Sequence, residues 1–409
     1  MESITDRVAI IGMGCTKFGE NWDKSLDDMI VDAAYEAYED AGIEPKDIQA
    51  AWFGTDSSSY SGYGLAHPLK LNYIPVTRVQ NECATGSDAF RNACYGVASG
   101  VYDIVLALGA EKFKDSGYSG IPDAPVTTGK GTHVSPEGTY RNATFTAPGN
   151  FAMMATKYFD RYGLNPEEGK SIIGQVQVKN HYNGSLHPKA HFQREITLEQ
   201  VLSAPIIAWP LGLFDCCGVS DGAAAAIICR GDMAKNFRAD PIYIKALQIS
   251  SAKEGSMSPK YDFTHVEETR RAGQAAYAEA GIKNPRQEIS TAEVHDCFSI
   301  TELVIMEDLQ FSPIGKAAED IKAGRFELTG EQPINTDGGL KCFGHPLGAS
   351  GIRMLYEEYK QLQGKADTLL NPGKPSRQIK NPALGLTHNL GGVPPTANIS
   401  VIIVGNERW

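Results

Sequence analysis

The sequence predicts an α/β protein of two similar halves, because one order of strand-like and helix-like segments occurs twice along its 409 residues. An apolar stretch at 7–14 leads into an amphipathic helical pattern at 25–43, and an apolar stretch at 241–250 leads into a similar pattern at 264–282. The helical patterns end in AYEDAGI and AYAEAGI, and these matching letters lie 239 residues apart. We therefore expect two α/β halves related by pseudo-symmetry.

A second pair of matching segments places a Gly-rich turn before a helix in each half. The turn is CATGSD, starting at Cys83, in the first half and GHPLGASG, at 344–351, in the second. Each half then closes on an apolar strand, at 222–231 or at 396–405, but the first half is about 90 residues longer between these landmarks. The extra residues predict an insertion that lies over the sheet, where binding loops are common. The expected organisation is an N-terminal half at 1–114 and 215–239, a loop domain at 115–214, and a C-terminal half at 240–409.

The alternation of strands and helices also predicts where a site would lie. Strands that alternate with helical patterns favour parallel sheets covered by helices, with right-handed crossovers. In such sheets, ligands bind at the carboxyl ends of the strands. Cys83, His295 and Cys297 each follow a predicted strand, so they are candidate site residues.

Composition narrows the classes of partner. The chain has 38 basic and 49 acidic residues without a basic stripe, which disfavours nucleic acid and anionic membrane surfaces. No apolar run reaches the roughly 18 residues that a membrane span needs, and no signal-peptide pattern is evident. The eight cysteines include no C-x-x-C pair. We expect a cytoplasmic protein with reduced thiols, which binds small molecules or other proteins.

Cys83 has two readings, a packing residue or a nucleophile. A buried thiol most often behaves as a small hydrophobe. However, Cys83 opens a helix, and the partial positive charge of a helix N-terminus favours a thiolate. Cys94 lies inside the same helical pattern and Cys229 inside an apolar strand, so both are predicted to belong to the core.

A nucleophilic cysteine needs a base, and three motifs offer histidines. His345 stands at the head of the helix that mirrors the one after Cys83. The segment EVHDCF adds His295 and Cys297, and THNLGG adds His388 before a predicted Gly-Gly turn. Any one of these motifs is weak, but four motifs at predicted strand-to-turn junctions indicate chemistry rather than packing alone.

The motifs CATGS, HDCF, GGLKCFGHPLGASG and HNLGG, in this order over essentially the whole chain, resemble the thiolase superfamily. The resemblance is strongest to sterol-carrier-protein-type thiolases and their bacterial and archaeal relatives. It implies a thiolase fold, in which two pseudo-symmetric βαβαβαββ halves form an αβαβα sandwich with an inserted loop domain.

The resemblance also implies a role for each site residue. Cys83 would be the acylated nucleophile, and His345, supported by His388, would take its proton. His295 stands where many thiolases carry an asparagine, and with His345 it would bind the thioester oxygen of the enolate. The late C-x-G motif of many thiolases, which carries their acid/base cysteine, reads HNL here. In the subgroup that this chain resembles, the cysteine of HDCF has that role, so the resemblance implies it for Cys297. Carbon–carbon cleavage does need a proton donor within hydrogen-bond reach.

The implied reaction is cleavage of a 3-oxoacyl-CoA by CoA, or the reverse Claisen condensation. CoA would be a substrate, with no resident cofactor and no metal. The acyl group is left open between acetoacetyl-CoA and an aromatic compound such as benzoylsuccinyl-CoA, and the Tyr-rich stretch at 57–75 could line an aromatic pocket or a subunit interface. The implied partners are acyl-CoA and CoA, a second copy in a homodimer or dimer of dimers, and a separate OB-fold/zinc-ribbon protein.

Other readings are weaker. A thiolase-fold retro-aldolase acting on a steroid side-chain CoA ester would not need the Cys83 nucleophile, and a non-catalytic scaffold would be expected to lose the nucleophile or the base. The stretch VAIIGMG lacks the third glycine of a dinucleotide-binding loop. A zinc site from His181, His187 and His191 has loose spacing, so this stretch is predicted to be a polar loop.

Overall fold

The computed structural model describes residues 3–116, 133–134, 140–141, 146–253 and 261–409. Most of the loop-rich start of the predicted loop domain therefore lies outside the described residues. Among the described residues, no helix combines the length and apolar character required to cross a membrane.

The N-terminal half follows the predicted order of strands and helices. Ser25 caps the first helix through a reciprocal hydrogen-bond pair with Asp28, which explains why the helix begins there. The elements are β1 (Val8–Cys15), α1 (Leu26–Ala41), β2 (Ala50–Gly54), α2 (Tyr63–Leu69), β3 (Val76–Val79), α3 (Thr85–Ala98) and β4 (Ile104–Glu111).

The insertion consists mainly of helices and returns the chain to the first half through one long strand. Its elements are β5 (His133–Val134), β6 (Tyr140–Arg141), α4 (Ala147–Arg161), α5 (Pro166–Leu186), α6 (Leu198–Leu202), β7 (Ile206–Ala208) and β8 (Leu211–Gly212), followed by β9 (Gly222–Arg230). Helix α5 includes His181, so the predicted polar loop at 181–191 is wrong in its first part. The ring nitrogens of His181 and His191 bind separate partners, Arg194 O and Ser220 Oγ.

The C-terminal half repeats the order of the first half. Its elements are β10 (Ile242–Ser251), α7 (Glu267–Glu279), α8 (Pro285–Glu288), β11 (Thr291–Glu293), α9 (Ser299–Asp308), α10 (Ala317–Lys322), α11 (Gly339–Cys342), α12 (Leu347–Leu362), β12 (Leu384–Val393) and β13 (Thr396–Gly405). The third strand of this copy is reduced to a single parallel bridge between Ala292 and Ile334.

Nine of the strands in the described residues form one sheet in the order β3-β2-β4-β9-β1-β10-β13-β12-β11, and β5–β6 and β7–β8 are separate two-stranded pairs. The prediction of parallel sheets is wrong for much of the nine-stranded sheet. Only the pairs β2–β3, β2–β4 and β11–β12 are parallel, and the remaining neighbours are antiparallel. The last two strands of the chain are joined by a tight turn at 394–395, which forces them to run in opposite directions.

The position of this turn shows that the Gly-Gly turn predicted after His388 is wrong. All residues of the HNLGG motif lie inside β12, which pairs with β13 from end to end. His388 is therefore a strand residue rather than a residue at a strand-to-turn junction. The turn itself is made by Pro394 and Pro395, which cannot continue the ladder because proline has no N–H.

The helices α3 and α12 meet at the centre of the molecule, where they bring the two Gly-rich turns together. A Cβ placed on Gly109 of β4 would lie 1.9 Å from Gly348 O, and one on Gly86 of α3 would lie 2.5 Å from the same oxygen. Only residues without a side chain permit this approach. Cys83 and His345, which precede these helices, are thereby placed at one location.

Candidate active site

Cys83 lies in the turn between β3 and α3, in an apolar pocket. It is 2% exposed and packs with Phe113, Leu347 and Val219. The preceding residue, Glu82, has φ 50°, a left-handed conformation that is strained for a residue with a side chain. Such strain recurs where a reactive group must be held in a fixed direction.

Burial decides the resting state of the Cys83 thiol. It raises the pKa of Cys83 well above the usual value, and nearby Glu82 and Cys217 raise it further. A backbone N–H bond from Gly392 acts in the opposite direction but does not offset burial. The helix-start effect that favours a thiolate is therefore outweighed, and Cys83 needs a base.

His345 has the protonation state and geometry of a base. Its Nδ1 lies 2.9 Å from Ser350 Oγ, and this hydroxyl donates to Pro346 O at 2.9 Å. Because a hydroxyl has only one proton to donate, Ser350 accepts the Nδ1–H of His345. Within the part of the chain that the structure describes, His345 Nε2 has no hydrogen-bond partner, and burial lowers the pKa of His345 to about 3. The ring is neutral, with a free lone pair on Nε2.

Three of the predicted site residues form a tight cluster. The sulfur of Cys83 and one ring nitrogen each from His295 and His345 lie within 4.8 Å of one another. The two rings are nearly perpendicular, with their centroids 5.3 Å apart. Both ring nitrogens of His295 are buried without a partner among the described residues, which is rare in folded proteins and indicates groups kept for a ligand.

Cys297 lies close to the cluster, beside a thiol that the sequence interpretation did not single out. Burial raises the pKa of Cys297 well above its usual value, and the nearby Cys217 and Cys83 raise it further. Cys217 N–H donates to Cys297 O at 2.8 Å, next to an antiparallel bridge between Cys216 and Phe298. The pair of cysteines in FDCCGV was the sequence signal for this neighbour.

His388 is set apart from the cluster. Its Nε2 lies 3.0 Å from Thr269 Oγ1 on α7, and burial lowers its pKa to about 3. It is near enough to His295 that a charge on its ring would lower the pKa of His295, although burial has the larger effect. Ser350 and Thr269 orient the two histidines, and neither was predicted. Ser350 could have been noticed because it lies within GHPLGASG.

The cluster also contains ligand types that suit a metal ion. Thiolate sulfur and imidazole nitrogen are the donors that zinc prefers. Among the described residues, Cys83, His295 and His345 are grouped closely enough to hold such an ion together. The sequence predicts that no metal belongs here, and this stays a prediction.

Comparison with protein families identifies the architecture. A model described as "Thiolase, N-terminal domain" matches residues 8–232, and one described as "Thiolase C-terminal domain-like" matches residues 250–405. The chain belongs to the thiolase superfamily. The superfamily and the thiolase fold that the motifs predicted are thereby confirmed.

Named relatives refine this assignment. The thiolase chain is 38% identical to an acetyl-CoA acetyltransferase of Methanothermobacter thermautotrophicus over 96% of this chain and 98% of that protein. It is 32% identical to sterol carrier protein 2 of Gallus gallus, over 94% and 70% of the two chains. It is 29% identical to the benzoylsuccinyl-CoA thiolase subunit BbsB of Thauera aromatica, over 94% and 95%. The chain is an acyltransferase of the sterol-carrier-protein-type subgroup.

A solved structure supports the fold alone. The Ltp2-ChsH2(DUF35) aldolase covers 99% of this chain and 99% of its own, with a TM-score of 0.81 and 24% identity. At this level of identity, the likeness carries the arrangement of strands and helices but not the reaction.

Proposed function

We propose that this thiolase cleaves acetoacetyl-CoA with CoA to give two molecules of acetyl-CoA, or runs the reverse condensation, through an acyl group on Cys83. The observation that carries the proposal is the cluster of Cys83, His295 and His345, in which a neutral base stands beside a protonated thiol. The 38% identity to an acetyl-CoA acetyltransferase supports the choice of substrate.

The first half-reaction uses the thiol and the base. His345 takes the proton of Cys83, and the sulfur attacks the 3-keto carbon of the substrate. The oxygen of the resulting tetrahedral intermediate is held by N–H groups at the start of α3 and by that of Gly392, which already faces the Cys83 sulfur. The C2–C3 bond then breaks, which leaves the acyl group on sulfur and the electron pair on the departing enolate.

The second half-reaction disposes of the enolate and the acyl group. Burial lowers the pKa of His295 well below its usual value, so its ring is neutral and carries one N–H. This N–H has no partner among the described residues and is available to donate to the enolate oxygen. The Cys297 thiol, protonated because of its raised pKa, gives its proton to the enolate carbon. The Cys297 thiolate then takes the proton of free CoA, whose sulfur attacks the acyl group on Cys83. The C–S bond to Cys83 breaks, a second CoA ester is released, and the proton held by His345 returns to the Cys83 sulfur. CoA acts only as a substrate in this scheme, and no resident cofactor is required.

The walls around Cys83 favour a short, uncharged acyl group. The hydrophobic side chains that cluster with Cys83 are Phe113, Leu347 and Val219. A substrate carboxylate placed against these side chains would be desolvated, which costs several kcal/mol. This favours acetoacetyl-CoA over a dicarboxylic substrate such as benzoylsuccinyl-CoA.

We also propose a homodimer with a separate OB-fold/zinc-ribbon subunit, in the cytoplasm. Strand β3 lies at one edge of the nine-stranded sheet, and the exposed Tyr60 and Tyr73 lie on the segment that leads to it.

The structurally similar Ltp2-ChsH2(DUF35) aldolase is named for two components, one of them a DUF35 protein, which supports a separate subunit for this chain. All eight cysteines are free, which suits a reducing compartment. Light scattering with and without the coexpressed subunit tests the assembly.

Separate variants of the two cysteines test the mechanism. Cys83→Ala should abolish acyl-enzyme formation from acetyl-CoA, as read by intact-protein mass spectrometry. Cys297→Ala should still form the acyl-enzyme, because acyl transfer needs no enolate, but its cleavage of acetoacetyl-CoA should fall by about 10²–10⁴-fold. Cys94→Ala, which removes a buried thiol inside α3, is the matched control and should behave like wild type.

Two outcomes would overturn the assignment. An acyl group on Cys297 and none on Cys83 would reverse the roles of the two thiols. A Cys83→Ala enzyme that still breaks a carbon–carbon bond in a steroid side-chain CoA ester would favour the aldolase alternative, which forms no acyl-enzyme.

A further inference from the structure

The loop that carries two of the site residues, here called the HDC loop (His295–Cys297), is held by the residue between them. Asp296 is fully buried, and its Oδ1 accepts the N–H of Leu340 at 2.5 Å. Its Oδ2 accepts the N–H of Lys341 at 3.2 Å. Both donors belong to α11, and His345 follows three residues after the end of that helix. One carboxylate thus joins the two segments that carry the histidines of the cluster.

The contact between Asp296 and α11 is unusually close. Gly339, the first residue of α11, has φ 64°, and a Cβ placed on it would lie 2.4 Å from Asp296 Oδ2. A side chain at this position would push α11 away from the carboxylate. The second glycine of the GGLKCFGH motif is therefore explained by the need to receive Asp296, whereas a Cβ on the first, Gly338, would lie 2.7 Å from Gly184 Cα.

The same carboxylate extends the connection to the insertion. Asn180 of α5 donates from Nδ2 to Asp296 Oδ2 at 2.9 Å and to Glu302 Oε2 at 3.0 Å. Glu302 is paired with Lys179 of α5 at 2.7 Å and accepts Nδ2–H of Asn335 at 2.8 Å. Asp296 thus ties the HDC loop to α11 on one side and to α5 on the other.

We propose that Asp296 is a positioning residue that sets where His295 and Cys297 stand relative to Cys83 and His345. The inference rests on the proposed function for its kinetic test. Cys83 and His345 are placed by other contacts, because α3 and α12 touch directly at Gly86 and Gly348. Loss of the carboxylate therefore displaces the HDC loop but leaves Cys83 and His345 in place relative to each other.

Asp296→Asn tests the proposal, because it keeps the shape of the side chain but replaces one accepting oxygen with an NH₂ group. An NH₂ group cannot accept the N–H groups that the carboxylate receives from α11 and Asn180. Asp308→Asn is the matched control, since both aspartates are buried and burial raises the pKa of each to about 7. Asp308 also accepts a backbone N–H, that of Val266. Both variants are assayed for acylation of Cys83 by acetyl-CoA and for kcat and KM of acetoacetyl-CoA cleavage.

Asp296→Asn is expected to lower kcat for cleavage by about 10²-fold, the loss that a 1 Å misplacement can cause. Its acylation rate and KM are expected to change by less than about threefold, since Cys83 and His345 keep their places. The control should change none of these quantities by more than about threefold. Equal losses in acylation and cleavage would show a general structural defect, and no loss in either would show that Asp296 has no such role.

A crystal structure of the Asp296→Asn variant gives a reading that does not depend on substrate. The centroids of His295 and His345 are 5.3 Å apart in the native chain. The proposal requires this separation to change in the variant, and an unchanged separation would overturn it. If the wild type failed to cleave acetoacetyl-CoA, the proposed function would fail, but this structural test of Asp296 would still stand.

Discussion

The two helices at the centre of the molecule begin at the same site in opposite surroundings. At the start of α3, the Cys83 thiol lies among apolar side chains, including Phe113 and Leu347. Ahead of α12, the His345 ring is fixed by a hydroxyl of its own helix, and α12 goes on to bury the charged side chain of Arg353. The first copy of the repeat thus supplies the thiol with Phe113 beside it, and the second supplies Leu347, the base and a polar framework.

The reactivity of the Cys83 thiol and the orientation of the His345 ring are therefore set by different neighbours. The apolar pocket keeps the Cys83 thiol protonated, so its nucleophilic form appears only when His345 takes the proton. Burial, with a smaller contribution from the charge of Arg353, keeps His345 neutral, and Ser350 aligns its ring. Arg353 is itself paired with Glu293 and Asp337 at 2.6 Å each. A neutral thiol beside a neutral base needs no stored ion pair in a buried site, where an ion pair would be costly to desolvate.

The largest expected effect comes from removing the base that the second copy supplies. His345→Ala should lower the rate of Cys83 acylation by acetyl-CoA by about 10²–10⁴-fold, the usual contribution of a positioned base. His181→Ala is the control, because His181 is also a buried histidine, with its pKa lowered by burial to about 4. Stopped-flow measurement of acyl-enzyme formation decides the matter, and equal rates in both variants would exclude His345 as the base.

The next effect concerns the polar framework. Arg353→Met leaves the carboxylates of Glu293 and Asp337 buried without their cation and should lower the free energy of unfolding by about 3–5 kcal/mol. Arg230→Met removes exposed ion pairs to Asp103 and Asp232 and should cost less than about 1 kcal/mol. Urea unfolding of both variants measures the difference. Similar losses would mean that the buried pairs are not what holds α12.

A smaller effect tests how the base is oriented. Ser350→Ala removes the acceptor of the His345 Nδ1–H, and the loss of one hydrogen bond of about 1 kcal/mol should slow Cys83 acylation by about fivefold. Ser350→Thr keeps the hydroxyl and should restore most of the rate. If Ser350→Ala acylated Cys83 as fast as wild type, the tautomer of His345 would be fixed by something else.

The smallest effect is a predicted lack of change with pH. His345, with its pKa lowered to about 3, stays a free base above that pH, and the raised pKa of Cys83 keeps the thiol protonated at neutral pH. Both groups therefore keep the same protonation states between about pH 5 and 8, the range in which an ordinary histidine titrates. Acylation should vary by less than about twofold across it. A fall in the acylation rate as the pH drops through the ordinary histidine pKa would mean that His345 becomes charged in that range.

Local patterns in the sequence were enough to predict much of this protein. The matching helices at 25–43 and 264–282 appear as α1 and α7, and both closing strands appear as β9 and β13. Hydrophobic periodicity and the capping pair of Ser25 with Asp28 are properties of neighbouring residues, so they can be read without a fold. The order of short motifs likewise predicted the superfamily, which the family models confirm.

Only the tertiary structure decided the direction of many strands and the chemical state of the site. The strand that contains His388 takes its length from β13, and the pKa of Cys83 is set by burial among side chains from other segments. Asp296 finds its partners on Asn180, which is 116 residues away, and on Leu340, which is 44 residues away. Desolvation and hydrogen bonding depend on such distant neighbours, which no local pattern records.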